Sequence, residues 1–309
     1  MTSTNPTPKR EPSLLERAAK VYDFGQHARA RGVAPSTPAA PFVLDDAPIF
    51  DEPVFGHDST PMLHDRQPID RMMLAEAGMI VPGAPIGPLA EEFRLVKRQL
   101  LIASQRIAES NTPDKARTIL VCSARPRDGK TFTAVNLALS IAAERDVEVL
   151  LVDADFAKPD VMARLGLDDG LGLLDALGDS SIDIETLVVR TDVPNLSLLS
   201  AGTKTSSDTE LLASARTRVV LARLLSADPR RIVIFDSPPA LAASPASVLA
   251  LMVGQVMLVV RADRTPENEL RAAVSLLDGC DHIQLVLNAV SFVPGGARFG
   301  SYYGQETRK

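Results

Sequence analysis

The sequence predicts a doubly wound α/β fold, a mostly parallel sheet of the P-loop NTPase kind, behind a proline-rich extension. Three observations predict it. Runs of Val, Ile and Leu alternate with amphipathic helical stretches between residues 89 and 294, as in a parallel sheet covered on both faces. The first run, ILVCS, passes through ARPRDGKT into a helix, the strand–loop–helix context that a phosphate loop requires. Two later runs, VLLVDAD and RIVIFD, end in aspartate, and ligands of open α/β sheets sit at the carboxyl ends of the strands.

Residues 1–88 hold thirteen of the 23 prolines and little periodicity, so an extended or disordered segment is expected there. Within it, SLLERAAKVYDFGQHARA (13–30) reads as a short amphipathic helix. Ser13 is its N-cap, Glu16 follows three residues later, and Leu14, Leu15, Ala18 and Val21 recur at helical spacing. Such a helix docks on its own core or on a partner. From Leu89, LAEEFRLVKRQLLIASQRIAES places Leu89, Phe93, Val96, Leu100 and Ile107 on one helical face.

The alternation then runs RTILVCS (strand), TAVNLALSIAAE (helix), VEVLLVDAD (strand) and LSLLSAG (strand). One helix, TELLASARTRVVLARLLSAD, precedes the strand RIVIFDSPP. A helix around PASVLALMV, the strand QVMLVVRAD, the helix TPENELRAAVSLLDG and the strand HIQLVLNAV complete the domain, 89–294. Residues 295–309 form a Gly-rich polar tail, expected to be flexible, that carries Tyr302 and Tyr303, two of the three tyrosines.

Several classes are disfavoured. A net charge of −6 argues against a general nucleic-acid surface. Cys122 and Cys280 lie in or beside apolar stretches, as buried thiols of a reducing compartment do, and the four histidines are scattered. MTSTNPTPKREPS lacks the apolar core of a secretory signal. The uncharged stretch Ser237 to Val260 is long enough to span a bilayer, but its prolines, Gly254 and Gln255 divide it into loop, helix and strand. No transmembrane span is expected.

The chemistry concentrates at the strand ends. Backbone N–H groups of Ala124, Arg125, Pro126 (which lacks one), Arg127, Asp128 and Gly129, with the helix start at Lys130, Thr131 and Phe132, would cradle phosphates. Lys130 would reach the β/γ-phosphates, and the Thr131 hydroxyl would bind Mg²⁺. Period-two spacing would put the Asp153 and Asp155 carboxylates on the same side of an extended chain, although an aspartate at a strand end also caps a following helix. Asp236 takes the Walker-B position, holding Mg²⁺ directly or through water. Together these features predict a Mg-nucleotide site.

The stretches SARPRDGKT…NLALSIA, LLVDADFAKPDV and IVIFDSPPAL resemble the Walker A, A′ and B motifs of bacterial tyrosine kinases of capsule and exopolysaccharide synthesis. PIDRMMLAEAGMIVP…EEFRLVKRQLL, with SLLERAA, is similar to the subgroup of tyrosine autokinases found beside exosortase gene clusters. The resemblance covers residues 66 to 304, and more weakly 13 to 30.

It implies ATP as phosphoryl donor, Lys130, Asp153 and Asp155 as catalytic groups, and Thr131, Asp155 and Asp236 around Mg²⁺. Asp153 would position or deprotonate the tyrosine, and Asn288 would contact the adenine. Glu91, Arg94 and Lys97 would occupy an E-x-x-R-x-x-R helix that meets the next subunit of a ring. Tyr302 and Tyr303 would be phosphorylated in trans by that neighbour. A separate membrane chain-length regulator would activate such a kinase at the cytoplasmic face.

In this family the loop often begins with Ala, so Ala124 fits if its φ is negative. Arg127 departs from the pattern by replacing a glycine, and is strained if that position needs a positive φ. Ala157 replaces a common arginine, and Lys97 ends the helix motif in place of arginine, which weakens a bidentate contact. Two other functions share the fold: a nucleotide-switched ATPase of the partitioning type, whose signature lysine is here Arg125, and a non-catalytic ATP-binding regulatory subunit.

Overall fold

A computed structural model describes residues 66–110 and 113–291 of the 309. The helix expected over 13–30 and the tail bearing Tyr302 and Tyr303 lie outside the described residues.

Seven strands form one sheet in the order β3-β4-β2-β5-β1-β6-β7. They are β1 (Thr118–Ser123), β2 (Glu148–Asp153), β3 (Val189–Arg190), β4 (Leu196–Leu199), β5 (Arg231–Asp236), β6 (Gln255–Arg261) and β7 (Ile283–Asn288). Every neighbouring pair is parallel except β3–β4. β1 and β5 are buried at all positions, which is why their sequences are apolar without alternation.

Ten α-helices occur among the described residues: α1 (Arg71–Glu76), α2 (Pro88–Glu109), α3 (Pro113–Ala116), α4 (Lys130–Ala142), α5 (Val161–Arg164), α6 (Leu173–Gly178), α7 (Asp208–Ala213), α8 (Ala215–Ala227), α9 (Pro245–Ala250) and α10 (Glu267–Leu276). One sheet face, with Leu120, Leu150, Phe235 and Leu258, packs in a core with residues of α6, α8 and α9. The other, with Ile119, Leu151, Ile234 and Met257, packs with residues of α2 and α4. α4 buries eleven of its thirteen residues. It follows the phosphate loop, so the loop stands on the most enclosed helix of the fold.

Three expectations are corrected. Residues 66–88 are not an extended tail. Asp70 caps α1 through bonds from the Met72 and Met73 amides at 2.8 and 3.0 Å, and Ile69, Leu74 and Met79 are buried. Gln67 N donates to Arg190 O at 2.8 Å and Ile69 N to Asp192 Oδ1 at 3.1 Å. Second, the long helix expected from Thr209 breaks into α7 and α8 at Ser214, whose ψ of 159° is extended. Thr217 Oγ1 donates to Leu212 O at 2.7 Å across the break, so the chain turns without losing that acceptor.

The third concerns α2. Phe93, Leu100 and Ile107 are buried and Leu89 and Val96 pack half-buried against the same core, as expected; the departure is Lys97, a charged residue buried among them. Its ammonium donates to Ser140 O at 2.8 Å and pairs with Glu144 at 2.6 Å. Lys97 therefore faces its own chain, while Arg94 bonds to Glu91 on the outer side. At the opposite sheet edge, β7 leaves Leu285 and Leu287 exposed by 56% and 65%.

Candidate nucleotide site

The site lies where β1, β2 and β5 end. The loop after β1 is folded by its own side chains: Ser123 Oγ donates to Arg125 O at 2.8 Å, and Arg125 N donates to Asp128 Oδ2 at 3.1 Å. Ala124 is buried and has no positive φ, so an alanine suffices there. Arg127 does take a positive φ, 69°, and Gly129 one of 99°. Gly129 precedes α4 without a side-chain cap, and the first turn carries no acidic residue. The leading amides of α4 thus face an anion's requirements.

Lys130 Nζ lies 2.6 Å from Asp155 Oδ2 and 3.3 Å from Thr131 Oγ1. Burial pulls its pKa down, but Asp236, Asp155 and Asp153 more than offset this and raise it. Asp155 faces a cavity of about 490 Å³ with Lys130, Thr131, Arg127, Lys158 and Pro238. A larger apolar groove, about 640 Å³, lies between residues 78–90 and 139–145 and contains none of these groups.

Asp153 does not share that outlook. β2 ends at Asp153, so the period-two rule stops before Asp155. The Asp153 carboxylate accepts from the amides of Asp155 at 3.1 Å, and of Asp160 and Val161 at 2.9 Å each. It orders the turn from 153 to 161 and caps α5. Burial raises it to about 6 despite those three donors.

Asp236 sits beside it, the two being register partners on β5 and β2. Burial raises Asp236 to about 7, opposed by the Lys130 charge and by the nearby Thr131 hydroxyl, and both carboxylate oxygens are buried without a hydrogen bond of good geometry. A buried carboxylate with nothing to bond is costly; a hard cation or its water would satisfy it. Among the described residues no cluster of three or more His, Cys, Asp or Glu forms a cage. Mg²⁺ needs none, because it takes one or two carboxylates plus substrate phosphates. Thr131, Asp155 and Asp236 fit that demand.

Of the remaining expected residues, Asn288 touches the loop, its Nδ2 donating to Asp128 O at 2.9 Å. Arg125 pairs with Glu269 of its own chain at 3.1 Å. Glu91, Arg94 and Lys97 are remote from the cavity. Sequence reasoning missed Arg261, whose Nη1 donates to Arg127 O at 2.9 Å. Its signal was an arginine closing the otherwise apolar strand QVMLVVR.

A phosphate loop on a doubly wound sheet, with acidic ends on the neighbouring strand β5 and on β2 beyond it, defines a P-loop nucleotide-binding protein. A family model described as an AAA domain matches residues 116–277 and the chain belongs to that family; the relatives it matches are named bacterial tyrosine-protein kinases. The putative tyrosine-protein kinase EpsB of Ralstonia solanacearum is 30% identical over 72% of this chain, which is 28% of the relative. Tyrosine-protein kinase YwqD of Bacillus subtilis is 29% identical over 62% of this chain and 76% of its own. The chain therefore spans just over a quarter of the EpsB relatives it matches. Among solved structures, the VpsO kinase domain is 30% identical with a TM-score of 0.52, covering 64% of this chain and 97% of that one. The BceF tyrosine kinase domain is 26% identical with a TM-score of 0.57, covering 72% and 92%.

Proposed function

We propose that the chain is an ATP-dependent protein-tyrosine kinase that phosphorylates Tyr302 and Tyr303 of a neighbouring copy in an exopolysaccharide system. The observation that carries the reading is the buried, unpartnered Asp236 carboxylate beside the Lys130–Asp155 pair. That arrangement is incomplete until a phosphate and a cation enter. The names of the relatives support tyrosine as acceptor.

Lys130 would leave Asp155 for the phosphates, while the amides at 129–131 hold their oxygens. Thr131, Asp155 and Asp236 would hold Mg²⁺, which would supply neutralisation of the phosphate charge. A loose phosphoryl-transfer transition state asks little of a base. Asp153, turned from the cavity, would then serve the acceptor by holding the turn that carries Asp155 and Lys158. The Glu91–Arg94 side of α2 remains our candidate ring contact, and a membrane protein our candidate activator. No helix among the described residues is long and apolar enough to cross a membrane. The partitioning-ATPase reading is weakened because Arg125, in place of its signature lysine, is tied to Glu269.

Incubating the full chain with Mg-ATP and probing for phosphotyrosine tests the reading, alongside Lys130→Met and a Tyr302→Phe/Tyr303→Phe double variant. Phosphotyrosine is expected in the parent only. A parent that hydrolyses ATP yet never gains phosphotyrosine, even with an activator's cytoplasmic segment present, overturns it.

A further inference from the structure

The loop between β1 and α4 is strained at one non-glycine position. Arg127 at φ 69° occupies the left-handed region that disfavours any residue with a Cβ. Among the described residues its guanidinium makes no hydrogen bond or ion pair that would repay the strain. Its carbonyl does: Arg261 Nη1 donates to Arg127 O, and Asn288 Nδ2 donates to the next carbonyl, Asp128 O, both at 2.9 Å.

The two donors form one rung of the sheet. Arg261 and Asn288 are register partners on β6 and β7, and Ala262 N donates to Asn288 O at 2.9 Å. Thr265 closes the backbone behind Arg261, accepting from its amide at 3.1 Å and donating to its carbonyl at 3.0 Å. The Asn288 amide lies so close over Gly129 that a Cβ added there would stand 2.0 Å from Nδ2.

We infer that Arg261 and Asn288 are positioning residues that lock the phosphate loop by gripping two successive carbonyls. In a trans peptide the C=O and N–H point in opposite directions. Drawing the carbonyls of 127 and 128 toward β6 and β7 turns the amides of Asp128 and Gly129 away from them, and Gly129 lines the cavity. Asn288 serves the loop in this arrangement, and Arg261 compensates for an arginine standing where glycine would need no help.

This rests on the nucleotide-site reading, and the readout is binding, which does not depend on tyrosine transfer. The dissociation constant of Mg-ADP is measured for the full chain and for Arg261→Met, each with Arg127 and with Arg127→Gly, with Asn288→Ala as a second probe. Arg261→Met should weaken binding about tenfold beside Arg127 and less than about threefold beside Gly, a coupling that plain charge loss would not produce. Asn288→Ala should show the same pattern, which covers a poorly folding Arg261 variant. Equal losses in both backgrounds, or none in either, overturn the inference. Coupled losses in a chain that binds Mg-ADP but never gains phosphotyrosine uphold the lock and remove the kinase reading.

Discussion

Asp236 shows how a single carboxylate can be placed against the stability of the chain. Its folded pKa, about 7, lies above the ordinary 3.8, as does that of Asp153 at about 6. The folded state therefore binds their protons more readily, so their contribution is full below the ordinary carboxylate pKa and is lost as pH rises through 6 and 7. Asp236→Asn should raise the stability of the nucleotide-free chain at about pH 8, on the order of 1–2 kcal/mol. The gain should shrink toward about pH 5, as thermal unfolding across that range would record. The same variant should lose the Mg²⁺ dependence of nucleotide binding. At Asp153, we expect Asp153→Asn to lower phosphotyrosine formation while leaving Mg-ADP bound and the pH profile of transfer unchanged. A profile that loses its acidic limb would return Asp153 to the role of base. Motif position made Lys130, Thr131 and Asp236 legible in the sequence, whereas Asp155 reaches the cavity through the turn after β2 and not through strand spacing. For Asp153 the sequence left open both a catalytic and a helix-capping role, and could not choose because the amides it takes lie seven and eight residues downstream.

Strands fully buried on both faces announce themselves, which is why β1, β2, β5 and β6 could be read from apolar runs alone. β3 has two residues and an antiparallel partner, too little pattern to see. The break at Ser214 was equally hidden, because the apolar spacing continues through it. A feature at the amino end of β5 is likewise tertiary: Arg231 is buried, bonding to Glu148 of β2 at 2.7 Å, to Glu185 and to Leu224 O at 3.0 Å. Arg231→Met would strand two carboxylates, and we expect a loss of about 3–5 kcal/mol in urea unfolding. Arg230→Met, whose partner Asp228 is nearer solvent, should cost clearly less in the same assay.

For the molecule as a whole, the surprise is that residues 66–80 belong to the core. Proline content suggested a free extension, but composition averages over 1–88 and conceals Ile69, Leu74 and Met79. Leu74 is fully buried, so Leu74→Ala should cost about 2–5 kcal/mol, measurable as a shift in the unfolding midpoint with unchanged slope. The attachment also has a temporal side. Ile69 bonds to Asp192, 123 residues further on, and Gln67 to Arg190. During synthesis those donors emerge long before their acceptors, so this segment must wait, with its apolar residues uncovered, until β3 and β4 exist. Contacts of such separation form slowly. The segment is thus made well before the strands that close it, and in that interval its apolar side chains are open to proteases and chaperones.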